Sequence, residues 1–283
     1  MIFVTGGTGH TGSRAVRRLM ERGETARCLV HTPAQRAFLP AEAETAEGDA
    51  ADASSLAERM AGAQACLHLA PIRFAPSVVE ACRRAGVERL ICLSSTRRLT
   101  RFPCESSRAV IRGELAVEDS GLGWTILRPS MIYGGSRDNN MERLVRHFRR
   151  ASLFPLVRGG RQLVQPVFVW DVVGAIEAAL ARPAAIGRAY TLAGPEAFSF
   201  RRMVEIAAQA AGRRAVFVPA PYGLALAGAW MAERLLRRPP VTVEQVRRFL
   251  EDKAFDIRAA KRDLGFDPIS FEEGMRRKAQ GDV

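Results

Sequence analysis

Short apolar-dominated runs alternate along the chain with stretches whose apolar residues recur at helical spacing. Residues 2–4, 27–30, 65–69, 90–93 and 124–127 have strand length and are bounded by polar or glycine-containing turns. Between them, residues 12–21, 54–61, 76–85 and 107–120 carry apolar side chains on one side of a 3.6-residue period. This strand-helix rhythm predicts an α/β fold built on a doubly wound parallel sheet. Ligands of such sheets gather outside the carboxyl ends of the strands, which puts residues 6–12, 31–32, 69–71, 94–96 and 128–133 around one crevice.

After Tyr133 the rhythm loosens. A Gly/Asn-containing loop at 134–140 precedes a helix at 141–150, an irregular segment at 159–169 and a helix at 172–182. A strand at 189–193, a helix at 200–211, a strand-like 216–219, a long amphipathic helix at 224–237 and two further helices follow. The expected division is a main sheet domain of residues 1–133 with roughly 165–193, and a smaller, mostly helical lobe of 134–164 with 194–283.

With 283 residues, 47% of them hydrophobic and 25% charged, the chain can bury a full core, which excludes a disordered or collagen-like protein. The net charge of +12 would suggest a nucleic-acid partner if the cations were clustered, but pairs such as Arg17-Arg18, Arg83-Arg84, Arg149-Arg150, Arg237-Arg238 and Arg276-Arg277 are spread over the whole length. They read as solvated helix faces. The cations comprise 39 arginines and only three lysines, Lys253, Lys261 and Lys278, so no mechanism can draw on a lysine in the first 252 residues. Five cysteines, four of them within apolar runs, fit a reducing, cytoplasmic setting. No leader pattern precedes residue 2, and the apolar stretch 222–231 is half the length a membrane span needs.

The segment Val4-Thr5-Gly6-Gly7-Thr8-Gly9-His10-Thr11-Gly12 follows one expected strand and opens one expected helix. In that setting Gly6 permits the tight turn, Gly9 lets a pyrophosphate approach the backbone, and Gly12 lets the helix pack against the sheet. Thr8, His10 and Thr11 border the same turn. The chemistry expected is dinucleotide binding. An acidic residue at the end of the second strand would accept hydrogen bonds from a free ribose 2′-hydroxyl, yet His31 and Thr32 stand there, with Arg36 close behind and no carboxylate before Glu42. That favours NADP(H), with NAD(H) as the alternative.

Thr5-Gly6-x-x-Gly9-x-x-Gly12 resembles the signature of the extended and atypical short-chain dehydrogenases/reductases. The likeness continues through Gly48-Asp49, Leu69-Ala70-Pro71, Leu93-Ser94-Ser95-Thr96, Arg128-Pro129, Tyr133-Gly134, the segment from Pro166 to Val172, and Asp263-Leu264-Gly265-Phe266-x-Pro268. The resemblance implies that Asp49 and Ala50 meet the adenine, that Ala70 and Pro71, next to Leu69, meet the ribose side, and that Pro129, Met131 and Ile132 face the nicotinamide. It adds Ser94 to the cofactor site.

The same resemblance exposes a loss. Members that turn over use a Tyr-x-x-x-Lys pair, in which the ammonium lowers the phenol pKa so that it can exchange a proton with substrate. Here Ser106 and Val110 take those places, and no tyrosine precedes Tyr133. Thr96 holds the position of the family's helper hydroxyl, so Thr96 and Tyr133 are the two catalytic candidates. His68 reads as a core histidine and His147 as a solvated one. Val164 stands where the sugar-nucleotide members carry an arginine, which disfavours an epimerase- or dehydratase-like sugar enzyme, while Arg161 and Gln162 are polar alternatives nearby. No His/Cys spacing suggests a metal. The nearest likenesses are NmrA-like redox sensors, isoflavone-reductase-like enzymes and the nucleotide-binding accessory subunit of respiratory complex I. Two functions stay open: an oxidoreductase acting on a small, apolar carbonyl or enone, and a dinucleotide-binding sensor or accessory protein without turnover. A protein partner or a peripheral membrane complex is a further possibility, resting on the helix at 224–237.

Overall fold

The computed structural model describes residues 1–135, 138, 140–236, 241–249 and 251–281. Its first half follows the alternation of the sequence: β1 (Ile2–Thr5), α1 (His10–Glu21), β2 (Ala26–Val30), β3 (Glu44–Glu47), α2 (Ala53–Arg59), β4 (Ala65–His68), α3 (Ala75–Ala85), β5 (Arg89–Leu93), α4 (Glu105–Glu118) and β6 (Gly123–Pro129). The second half adds β7 (Ile132–Tyr133), α5 (Met141–Arg150), β8 (Leu153–Val157), β9 (Leu163–Val164), β10 (Val167–Phe168), α6 (Val169–Ala181) and β11 (Arg188–Leu192). It ends with β12 (Phe198–Ser199), α7 (Phe200–Ala210), β13 (Val216–Ala220), α8 (Tyr222–Leu235), α9 (Val243–Arg248), α10 (Arg258–Leu264) and α11 (Phe271–Gln280).

Seven strands form one parallel sheet in the order β11-β6-β5-β4-β1-β2-β3. Crossovers leave β1 in both directions, to β2 and β3 on one side and to β4, β5 and β6 on the other, so the strand order reverses beside β1. That reversal is where a doubly wound sheet opens a ligand crevice. The strand β3 has no apolar run because it is an edge strand of sequence Glu-Thr-Ala-Glu with exposed ends, and periodicity alone does not find such a strand.

Apolar side chains fill both sides of the sheet. One layer joins Val4, Val16, Leu67 and Ile91 to Ile176 of α6 and to Leu264 and Phe266 near the C-terminus. The other joins Phe3, Leu56, Val78, Leu90, Val117 and Ile126. A separate core under the carboxyl ends of the strands holds Tyr133, Val145, Val164, Phe168, Met203 and Phe271. Three C-terminal helices follow α8 rather than the two expected, because 243–248 makes a short helix of its own behind a Thr242/Gln245 capping box. Part of the expected 224–237 helix and the pair Arg237-Arg238 lie outside the described residues. Among the described residues no helix is long and apolar enough to cross a membrane.

Candidate active site

The turn after β1 is built around two glycines that tolerate no side chain. Gly6 has φ +73°, and a Cβ there would lie 2.4 Å from the Ala70 amide nitrogen; one on Gly12 would lie 2.1 Å from the Gly6 carbonyl oxygen. Gly9 differs. Its amide donates to the Gly6 oxygen at 3.0 Å, and a Cβ on it would meet nothing but that oxygen, at 3.1 Å. Gly9 is also the N-cap of α1, with no side chain capping the helix and no acid in its first turn. Open space over Gly9 and uncapped amides behind it fit the pyrophosphate of a dinucleotide, which needs close backbone approach and a positive helix end. Thr8, His10 and Thr11 lie around the same turn, Thr11 being buried and the other two half-buried.

Backbone hydrogen bonds draw the neighbouring strand ends to this turn. The Leu69 amide donates to Thr5 O at 2.9 Å, the Gly48 amide to Val30 O at 3.0 Å and the Ser94 amide to Leu127 O at 2.7 Å. His31, Thr32, Asp49, Ala50, Ala70, Pro71, Pro129, Met131 and Ile132 therefore follow carboxyl ends of adjacent strands or lie on them, as the sequence pattern requires. His31 and Thr32 are exposed. Arg36 donates to Thr45 Oγ1 and to Ala41 O, both at 3.2 Å, so its guanidinium rests against the start of β3. Pairing of β2 with β3 also sets Glu47 beside Val30, a carboxylate that sequence distance concealed.

Ser94 and Tyr133 have other partners than those expected. The Ser94 hydroxyl donates to Glu114 Oε1 at 2.5 Å, which turns it from the crevice into the structure beneath. Glu114 is fully buried, takes a two-pronged bond from Arg128 at 2.7–3.1 Å, and has Arg98 at 3.3 Å. This buried carboxylate locks α4 to the ends of β5 and β6. An acid on the inward side of a helix and an arginine inside a strand are the sequence signal of such a pair. Tyr133 is fully buried; its hydroxyl donates to Ser270 O at 3.4 Å and lies where a Cβ on Gly274 would be. Burial, with Asp171 nearby, pushes its phenol far above the ordinary range. Phe168 and Phe271 pack on its ring at 5.6 and 4.8 Å between centroids. Tyr133 is a packing residue of the smaller core and is withdrawn as a catalytic candidate.

Thr96 remains at the crevice. It opens a short 3-10 turn, Thr96–Leu99, whose N-cap hydroxyl, Ser95, accepts from the Arg97 amide at 3.2 Å. It lines a cavity of about 320 Å³ together with Leu99, Thr191 of β11, Arg248, Lys253 and Phe255. The cavity lies over the carboxyl ends of β5 and β11, across β6. Its outer wall comes from Arg248 and residues 251–256, which the sequence alone does not connect to the site. The hydroxyl of Ser106, in the place of the family's tyrosine, donates to Glu244 of α9 at 3.3 Å. The segment that follows α9 is tied to the loop after β5: Glu251 accepts from Thr100 Oγ1 at 2.8 Å and from the Arg101 amide at 2.6 Å.

Two further titratable groups have structural roles. His68 is wholly buried beside Thr5, its Nδ1 2.7 Å from Thr5 Oγ1, and burial lowers its pKa to about 4, so it stays neutral. Asp171, in the first turn of α6, accepts from the Ile269 amide at 3.0 Å, and burial raises its pKa to about 6. Val164 is buried in the smaller core among Met203, Phe168 and Phe271. Arg14, overlooked in the sequence, donates from α1 to His10 O at 2.8 Å and lies against Gly135, linking the glycine turn to the loop after β7.

A family model described as NAD(P)H-binding matches residues 6–150. The chain is 27% identical to a 2-alkyl-3-oxoalkanoate reductase of Stenotrophomonas maltophilia, over 98% of this chain and 97% of the relative. It is 25% identical to an NAD(P)H azoreductase of Xenophilus azovorans, over 77% and 76% of the two chains. The mitochondrial NADH dehydrogenase (ubiquinone) 1 alpha subcomplex subunit 9 of Arabidopsis thaliana matches at 29% identity over 55% of this chain, but over only 39% of its own length. In fold, the chain superposes on the structure of an epimerase from Methanothermobacter thermautotrophicus with a TM-score of 0.78 at 20% identity, covering 99% and 91% of the two chains. Glycine turn, strand order and family match agree: the chain belongs to the NAD(P)H-binding family, as an extended or atypical short-chain dehydrogenase/reductase.

Proposed function

We propose that the protein is an NADP(H)-dependent reductase of a small, largely apolar substrate with a 3-oxo carbonyl or an enone. The observation that carries this reading is a cavity of about 320 Å³ whose floor, at Thr96, is the carboxyl end of the strand next to the glycine-turn crevice. Leu99 and Phe255 give the cavity apolar contacts within a mostly polar and charged lining, and Thr96 and Thr191 offer hydroxyls that can orient a carbonyl oxygen. A bound nicotinamide would supply the hydride. The chain's own groups hold the dinucleotide: Gly6, Gly9, Gly12 and the α1 amides at the pyrophosphate, Asp49 and Ala50 at the adenine, Ala70 and Pro71 at the ribose, and Pro129, Met131 and Ile132 along the nicotinamide. His31, Thr32 and a redirected Arg36 receive the 2′-phosphate, a preference supported by the lack of a carboxylate on the end of β2 itself. The oxo-acyl substrate class is supported by the near full-length likeness to a 2-alkyl-3-oxoalkanoate reductase. Residues 1–133 with about 165–193 form the nucleotide-binding part in this reading, 134–164 with 194–283 the substrate lobe, and the setting is cytoplasmic.

Hydride transfer from stereospecifically deuterated NADPH and NADH to a panel of 3-oxo esters, enones and quinones tests the proposal. The expected result is label transfer from one face of the nicotinamide and a several-fold preference for NADPH. Turnover no faster than the protein-free background would overturn it.

A second reading, a dinucleotide-binding accessory protein held on a partner, is favoured by one observation. Helix α8 buries only Ala229 and exposes Leu224, Trp230, Met231 and Leu235. Such a concentration of exposed apolar side chains on one helix suits a protein partner. Gel filtration of the native protein from its own cell extract separates the two: the enzyme reading predicts a small free species, the accessory reading a large complex lost in a Leu224→Glu/Trp230→Glu variant.

A further inference from the structure

The Tyr-x-x-x-Lys pair is missing from α4, yet one of the three lysines in the chain lines the cavity beside Thr96. We infer that Lys253, brought in from the C-terminal part of the chain, is the proton donor of the reduction, shared across the cavity with the Thr96 hydroxyl. The inference rests on the reductase reading above and gives its proton a source.

Several placements converge on Lys253. Its backbone amide donates to Leu163 O at 2.9 Å, the neighbouring Asp252 carboxylate accepts from the Leu163 amide at 2.8 Å, and the Phe255 amide donates to Gln165 Oε1 at 2.7 Å, so the segment is held on both sides of the residue. Each nearby acid has another partner. Glu251 holds Thr100 and the Arg101 amide, Asp252 holds Leu163, and Asp256 binds Arg258 at 2.7–3.0 Å. Among the described residues no carboxylate lies within 4.0 Å of the Lys253 ammonium, whereas Lys261 and Lys278 are each paired with one. The cationic neighbours are Arg248 and Arg101 on the cavity wall and Arg97 on the turn that Thr96 opens. Partial burial and the Arg248 and Arg97 charges lower the ammonium pKa, opposed by Glu251. An unpaired ammonium with a lowered pKa releases its proton more readily than a surface lysine.

The step balances as follows. The substrate carbonyl carbon accepts hydride, two electrons with one hydrogen, from the reduced nicotinamide dinucleotide, and the carbonyl π pair moves to oxygen. Lys253 breaks an N–H bond to protonate that oxygen. The products are a secondary alcohol, a neutral lysine amine and the oxidised dinucleotide, and a proton from water restores the ammonium. Thr96, which lines the same cavity, donates a hydrogen bond to the same oxygen.

Lys253→Met and Lys253→Arg, made in the full chain, test the assignment against two acceptors. Ethyl 2-methyl-3-oxobutanoate needs a proton on an alkoxide, whereas menadione yields a stabilised phenolate and needs little acid help. Both variants are expected to bind NADPH within threefold of the parent, by nicotinamide fluorescence, and to reduce menadione within threefold. Reduction of the 3-oxo ester is expected to fall 100-fold or more, in keeping with the usual size of general-acid catalysis. Independently of turnover, ¹³C-methylation of the lysines followed by NMR titration of the cofactor-free chain should show one lysine titrating below the other two, its resonance missing in Lys253→Arg. Three results overturn the assignment: ester reduction that survives in Lys253→Met, an equal fall with both acceptors, or a Lys253 midpoint no lower than those of Lys261 and Lys278. A chain that binds NADPH but reduces neither acceptor also overturns it and leaves dinucleotide binding intact. Failure to bind NADPH at all instead removes the reductase reading beneath it.

Discussion

The two sides of the crevice are made in different ways. The glycine turn is local: seven consecutive residues, a strand before and a helix after, packed backbone to backbone at Gly6 and Gly12. The cavity wall is assembled from distant parts, with Thr96 and Thr191 at the ends of β5 and β11 and Arg248, Lys253 and Phe255 far along the chain. Relatives can share the turn because any pyrophosphate needs the same amides. In the proposed reductase the wall faces the substrate and is free to change, so the loss of one proton donor on α4 does not by itself decide whether chemistry occurs.

The largest effects should fall on the turn, where backbone packing leaves no slack. In Gly12→Ala the new Cβ collides with the Gly6 carbonyl, so loss of cooperative thermal unfolding, or NADPH binding weakened more than 100-fold, is expected. Gly9→Ala sharpens the contrast. Its Cβ meets one oxygen at 3.1 Å within the protein but would stand in the pyrophosphate's place, so the melting temperature should hold within a few degrees while NADPH affinity falls at least tenfold. Equal damage from both would mean that the turn only packs.

Beneath the crevice, Glu114→Gln leaves Arg128 and Arg98 without their buried counter-charge. Urea unfolding should register a loss of about 3–5 kcal/mol, the usual cost of breaking a buried pair from one side. A loss under about 1 kcal/mol would show that the pair does not hold α4 to the strand ends.

Two buried groups give opposite pH dependences. His68 has a folded pKa of about 4 against an ordinary 6.5, so the unfolded chain binds the extra proton and stability falls as pH drops from 6.5 to 4. The size is about 3 kcal/mol at 1.36 kcal/mol per unit. Asp171 has a folded pKa of about 6 against 3.8, so the folded chain binds the extra proton and stability rises as pH drops from 6 towards 3.8. His68→Gln should flatten the acid-side decline, and Asp171→Asn should steepen it. Urea midpoints at pH 7, 5.5 and 4.5 check both signs. The smallest effect belongs to Tyr133→Phe, which removes one long hydrogen bond to Ser270 O: less than about 1.5 kcal/mol of stability and no change in turnover rate.

Much of the sheet was legible because parallel strands buried on both faces read as apolar runs and their helices carry one apolar side. Polar β3 escaped, being an edge strand. The glycine turn was legible because its packing resides in the backbone, where Gly6 and Gly12 admit no side chain, so spacing alone is informative. Ser94 and Tyr133 misled because a strand-end position says nothing about which way a side chain turns. Ser94 turns down to Glu114, and Tyr133 turns into the core under α11. Lys253 stands in the sequence only as the first of three late lysines; nothing local joins it to Thr96, and the two come to line one cavity because the segment after α9 is tied to the loop after β5.

The most direct measurement is a crystal structure of the full chain with NADP⁺. The pyrophosphate should lie over Gly9 against the α1 amides, with the nicotinamide at the end of β5 and its C4 facing the cavity of Thr96 and Lys253. A dinucleotide bound elsewhere, or a nicotinamide turned away from that cavity, would contradict the account.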